Sequence, residues 1–147
     1  MSDAEARGRE LFESGFFCAE AVLKTIAERQ GVASELIPGM ATGFCSGLAR
    51  SGGPCGAMTG AVMALGLVWG RNNPEHSVEQ TYDAVRTMMA KFEAHLGSTN
   101  CTELLGLDLS TPEGRQAFED QNLESQCADI TGFAAALVEE ILEAGEA

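Results

Sequence analysis

Apolar residues recur at three- and four-residue intervals along most of the chain, and no stretch alternates apolar with polar for long. That period predicts helices and no sheet. Ser2 is placed to cap a first helix running to about Ser14, with Leu11 and Phe12 turned inward and Gly15 ending it. A second helix covers roughly Cys18 to Gln30: Cys18, Val22 and Ile26 form one row, Ala19 and Leu23 the next, and Gly31 follows as a C-terminal glycine. A short segment from Ser34 to Ile37 is broken by Pro38-Gly39, and one helical turn is expected from Met40 to Phe44. Four of the ten residues from Cys45 to Pro54 are Gly or Pro, which reads as a loop. An apolar helix then runs from Cys55 to about Trp69, and Asn72-Asn73-Pro74 breaks the chain after it. A long helix from about Ser77 to Leu96 places Val78, Tyr82, Val85, Met88, Met89 and Phe92 on one face, and Gly97 stops it. Asn100 to Leu105 reads as a single turn, Thr111-Pro112-Glu113 as a helix start, and about Glu124 to Glu143 as the last helix.

These elements predict a single-domain, all-α bundle of five to six helices spanning residues 1–147. Its centre should be the Gly/Ala-rich helix, where Gly56, Gly60 and Ala64 repeat at four-residue spacing and Gly66 and Gly70 extend the small face. A glycine inside a helix costs roughly 0.5–1 kcal/mol relative to alanine. Something must offset that: a neighbouring helix packed closely on the small face, or a cofactor brought up to the backbone at Gly56 and Gly60.

Composition narrows the partners. The formal charge is −13 and aromatic residues make up 6%, which speaks against nucleic acid. The most apolar stretch, Gly56 to Gly70, has 15 residues, too few to span a bilayer comfortably, so no membrane insertion is expected. The first residues, Ser2 to Arg7, lack the basic and apolar regions of a secretion signal, and a cytoplasmic location is expected.

The chain has five cysteines: Cys18, Cys45, Cys55, Cys101 and Cys127. In a reducing compartment such residues are inert core, catalytic thiols or metal ligands. No two are spaced Cys-x-x-Cys, so any shared site must be assembled by folding. Cys55 stands at the start of the Gly/Ala helix, where free backbone N–H groups and the helix dipole favour a thiolate. Cys18 and Cys101 also stand at predicted helix starts, and Cys127 lies early in the last helix. If those starts converge, their dipoles add to a local positive potential suited to thiolate, metal or redox chemistry.

The hexapeptide Cys55-Gly56-Ala57-Met58-Thr59-Gly60, with Cys18 upstream and Cys101 and Cys127 downstream, resembles the pattern of the C_GCAxxG_C_C family of bacterial and archaeal proteins. Phe17 to Val22 and Cys101 to Gly106 fit the resemblance, which covers about residues 7 to 140; Cys45 falls outside the four positions. The resemblance implies a redox role for the four cysteines. It leaves the chemistry open between thiol/disulfide pairs and ligation of a metal or iron–sulfur cluster, with zinc an equally good guest for four thiolates.

The expectation is therefore a cysteine-based redox or electron-transfer protein, an oxidoreductase if it is an enzyme. Cys18, Cys55, Cys101 and Cys127 are the catalytic or metal-binding residues, Cys55 the most nucleophilic, and Gly56 and Gly60 the backbone approached by a cofactor. The redox partner is open. The alternative is a non-catalytic helical binding or assembly module, in a homodimer or beside a transporter, whose cysteines only pack. Of the remaining polar residues, Arg50 is placed to support a Cys55 thiolate and Arg71 lies at the other end of the same helix. His76 is expected in solvent, His95 at a helix C-terminus, and the run from Glu139 to Glu146 on a solvated face.

Overall fold

The computed structural model describes residues 1–145. Its helices in chain order are α1 (Asp3–Glu13), α2 (Cys18–Arg29), a 3-10 turn at Gly39–Phe44, a short segment α3 (Cys45–Arg50), α4 (Gly56–Trp69), α5 (Glu79–Leu96), α6 (Cys101–Leu105), α7 (Pro112–Asp120) and α8 (Glu124–Gly145). Among the described residues the one piece of β pairing is an isolated antiparallel bridge between Pro54 and Asn100. The all-α expectation holds. The long helices α1, α2, α4, α5 and α8 pack on one another as the bundle, while the shorter segments line its end.

Local chemistry sets several helix ends as the sequence suggests. The Ser2 hydroxyl accepts the Glu5 N–H at 3.1 Å, and the Thr111 hydroxyl accepts the Gly114 N–H at 2.9 Å ahead of Pro112 in the first turn. Gly97 ends α5 at φ 91°, a left-handed conformation open to glycine without penalty.

α4 lies centrally, against α2, α5 and α8. Its small residues are there for close approach: a Cβ on Gly60 would come within 2.8 Å of the Ala19 backbone on α2. Gly60 thus faces a helix, which corrects the expectation that a cofactor reaches it. α1 crosses α8 in the same manner, with Gly8 against Ala135 and Gly132 against the Glu5 backbone. Phe92, Leu23, Ile26, Leu65, Met88, Leu142, Val22 and Val138 fill the core. The buried hydroxyls of Thr25 and Thr131 are satisfied inside their own helices, each donating at 2.7 Å to a carbonyl one turn back. The acidic C-terminal run is not purely solvated. Glu139 is partly buried and pairs with Arg29, and Glu140 pairs with Lys91 at 3.1 Å. Glu146 lies outside the described residues. Among the described residues no helix is long and apolar enough to cross a membrane.

The region expected as a loop contains an unusual segment. Ser46, Gly47, Leu48, Ala49 and Arg50 all have left-handed backbone, with φ between 56° and 69°. For residues other than glycine this costs roughly 1–2 kcal/mol each, so tertiary contacts must impose it. Buried Cys45 anchors one end. The Gly47 carbonyl accepts the Gly53 N–H at 2.9 Å and the Ser51 hydroxyl at 3.2 Å, and Gly47 packs so tightly on Cys101 that a Cβ would come within 2.7 Å of the Cys101 Cβ.

Candidate functional site

Cys55 is the N-cap of α4, Cys18 the first residue of α2 and Cys101 the first of α6, while Cys127 falls in the opening turns of α8. The helix starts named from sequence are therefore real. The Pro54–Asn100 bridge joins two of them. The Cys55 N–H donates to the Thr99 carbonyl at 2.7 Å, and the Cys101 N–H donates to the Gly53 carbonyl at 3.0 Å. Side chains alternate across extended pairing, so Cys55 and Cys101, each one step past the bridged pair, project to the same face. Asn100 locks this arrangement: its amide donates to the Gly52 carbonyl at 2.8 Å, and its side-chain oxygen accepts the Glu103 N–H at 3.1 Å, capping α6.

Cys127 is brought in from the other end of the chain. Next to it, the Gln126 amide donates to the Leu104 carbonyl at 3.0 Å and ties α8 to α6. Cys18 arrives from α2, with its sulfur in the space that a Cβ on Gly56 would occupy. Cys18, Cys55, Cys101 and Cys127 all line one cavity of about 560 Å³. Phe12, Phe17, Leu105 and Phe118 supply apolar wall, and Arg50 and Arg115 are its two basic residues. Gly56 is also on the wall; Gly60 is not.

The electrostatics correct one expectation. Burial pushes the Cys55 thiol up to about 11, against the lowering effect of the Ala57 and Met58 backbone N–H groups. The helix end does act on the sulfur, but desolvation of the thiolate outweighs it. Burial also raises Cys127 to about 12, with Cys55, Cys101 and Glu124 adding negative neighbours, and it raises Cys101. Cys55, Cys101 and Cys127 are therefore protonated thiols at neutral pH, and Cys55 is not an unusually acidic one.

Among the described residues no three His, Cys, Asp or Glu side chains are arranged to hold a metal ion. The four cysteines share a cavity, but no three of them are placed to hold a single metal ion. All five cysteines are free thiols.

The model of the family described as "Putative redox-active protein (C_GCAxxG_C_C)" matches residues 16–141, most of the chain and all four of the cavity cysteines. The chain belongs to the C_GCAxxG_C_C family. Comparisons with curated proteins and with solved structures gave no match.

In this C_GCAxxG_C_C protein the other candidates fall into place. Arg50 is exposed on α3 at the cavity wall. Arg71 donates to the carbonyls of Pro74 and His76 and shapes the turn after α4. His76 is exposed, as expected, and the His95 ring stacks on Phe133 with centroids 4.2 Å apart. Sequence reasoning missed the residues that hold the sulfurs in place. Asn100 and Gln126 carried no signal beyond ordinary capping or surface chemistry. Cys45 looked like a loop or core residue. It is buried, as a core residue would be, but it also meets Cys18.

Proposed function

We propose that this protein is a thiol–disulfide oxidoreductase whose cavity takes a small disulfide or a disulfide-bearing loop of a redox partner. The observation that carries this reading is the meeting of Cys18, Cys55, Cys101 and Cys127, from four different helices, on one cavity wall. A thiolate attacks the substrate disulfide and forms a mixed disulfide. A second cysteine then displaces the remaining substrate thiol, so two protein thiols become one disulfide and two electrons pass to the substrate. Cys55 and Cys101, held on one face by the Pro54–Asn100 bridge, are the pair best disposed for this. The cavity volume suits a small-molecule ligand. A reducing cytoplasm would regenerate the dithiol.

The test begins with anaerobic, reduced protein, exposed to a small dialkyl disulfide while free thiols are counted and metal is assayed. The reading expects thiols to disappear in pairs, to return with reductant, and to persist in the Cys18, Cys55, Cys101 and Cys127 quadruple serine variant only at Cys45. Thiols that never pair, or a stoichiometric metal or cluster in the purified protein, would overturn it.

One observation favours the second reading, a helical binding module. Leu36, Met40, Phe44 and Leu48 lie close together in the chain and are 70%, 55%, 38% and 38% exposed. Such exposed apolar side chains would suit a second copy of the chain or another helical partner. The same quadruple variant separates the readings, because a pure module keeps its association when the thiols are gone.

A further inference from the structure

Cys45 belongs to none of the four family positions and lies off the cavity wall at 4% exposure, yet it is placed against a cavity cysteine. Both meet over Gly56. The point where a Gly56 Cβ would sit overlaps the Cys18 sulfur and lies 3.1 Å from the Cys45 Cα. The absence of a side chain at Gly56 is what lets the two cysteines approach. The Cys45 thiol also faces the start of α2. The backbone N–H groups of Ala19 and Glu20 point at its sulfur, and its S–H reaches the Ala41 carbonyl at 3.7 Å.

A carboxylate fixes the two segments that carry these cysteines. One Glu20 oxygen accepts the Phe17 N–H at 2.9 Å, next to Cys18, and the other accepts the Thr42 hydroxyl at 2.7 Å, in the turn leading into Cys45. Glu20 is thus a positioning residue, holding the α2 start to the Gly39–Phe44 turn.

We propose that Cys45 is a resolving cysteine for Cys18, so that the protein carries a Cys18–Cys45 dithiol couple in addition to the thiols at Cys55, Cys101 and Cys127. Hydrogen bonding to Cys18, together with burial, keeps Cys45 protonated until it acts. Cys18, half-buried on the wall, is the sulfur that a substrate meets. Its thiolate attacks one sulfur of a small dialkyl disulfide; the S–S bond breaks, and one small thiol leaves with a proton. Cys45 then attacks the Cys18 sulfur of the mixed disulfide from the protein side and gives its own proton to the departing second thiol. The products are a Cys18–Cys45 disulfide and two small thiols, with two electrons moved to the small molecule. No substrate has to reach Cys45, which is why a buried thiol can serve.

This rests on the thiol–disulfide reading above, and the experiment distinguishes the two. Reduced wild-type protein is treated with 2-hydroxyethyl disulfide, quenched with an alkylating agent, digested without reductant and mapped by mass spectrometry. A peptide pair joined through Cys18 and Cys45 is expected. In Cys45→Ala the same treatment should leave a stable hydroxyethylthio adduct on Cys18, which in the wild type is short-lived. Disulfides confined to Cys55, Cys101 and Cys127 would overturn this proposal and leave the general reading standing. Absence of any protein disulfide would overturn both. Because the decisive peptide comes from the wild-type chain, poor folding of the variant does not weaken the test.

Discussion

The Cys55 N–H donates to the Thr99 carbonyl at 2.7 Å, and immediately beyond that bond the two strands diverge into α4 on one side and α6 on the other. A single backbone contact thus sets two helix starts, and the cysteine at each, side by side.

Asn100 holds this junction through one cap bond and one bond to Gly52. Replacing it with alanine removes both, and a loss of about 1–3 kcal/mol in unfolding free energy is expected. Asn100→Asp keeps the cap acceptor and should lose less. Denaturant unfolding of the reduced proteins checks the order, and pairing of Cys55 with Cys101 should slow in the alanine variant.

Raised thiols make both reactivity and stability depend on pH. With the Cys55 thiol at about 11, its alkylation rate should climb about tenfold per pH unit from neutral and level off near 11. An exposed cysteine levels off near pH 8.5 to 9, at about its unperturbed value. In the unfolded chain these thiols titrate near that lower value, so between there and 11 the folded state holds more protons than the unfolded one. Stability should therefore be full below about pH 8.5 and fall as pH rises through 11, with Cys127 extending the fall towards 12. Urea midpoints measured across this range would show it, and a stability that rises with pH would contradict the burial of these sulfurs.

Two glycines of α4 should respond in opposite ways. Gly60→Ala forces a methyl against the Ala19 backbone and should cost about 1–3 kcal/mol by prising α2 from α4. At Gly66 nothing lies within 4 Å of the new methyl, and Gly66→Ala should gain about 0.4–1 kcal/mol through the unfolded chain. Thermal melts of the pair separate close packing from a general intolerance of alanine.

Ala49 is exposed with φ 56°. Ala49→Gly should raise stability by about 1 kcal/mol, because glycine takes the left-handed conformation freely. No change in the melting temperature would mean that α3 is not left-handed in solution.

Much of the architecture was legible because its signals are local. Ser2, Thr111-Pro112 and Gly97 announce helix ends by chemistry confined to a few residues. The four-residue rhythm of Gly56, Gly60 and Ala64 announced close packing, and Gly60 packs on α2. The cavity cysteines were legible as a set through the hexapeptide and their places at helix starts. What stayed hidden depends on partners far along the chain. Ser46, Leu48, Ala49 and Arg50 have no preference of their own for left-handed backbone, so nothing in their identity foretold α3. The residues around Cys55 report only its helix end, which favours a thiolate. Burial by the rest of the fold, which reverses that inference, is invisible to a local reading. Cys45 looked like any small buried residue because the contact that singles it out runs through Gly56 and Glu20.

Gln126 joins α8 to α6, so the wall that holds Cys127 comes from the last helix and the wall that holds Cys18 from the second. Before α8 docks, the chamber lacks Cys127 and the wall that carries it, while the junction of Cys55 and Cys101 needs only its own two segments. Reactivity that depends on Cys127 therefore waits on α8, and pairing of Cys55 with Cys101 does not.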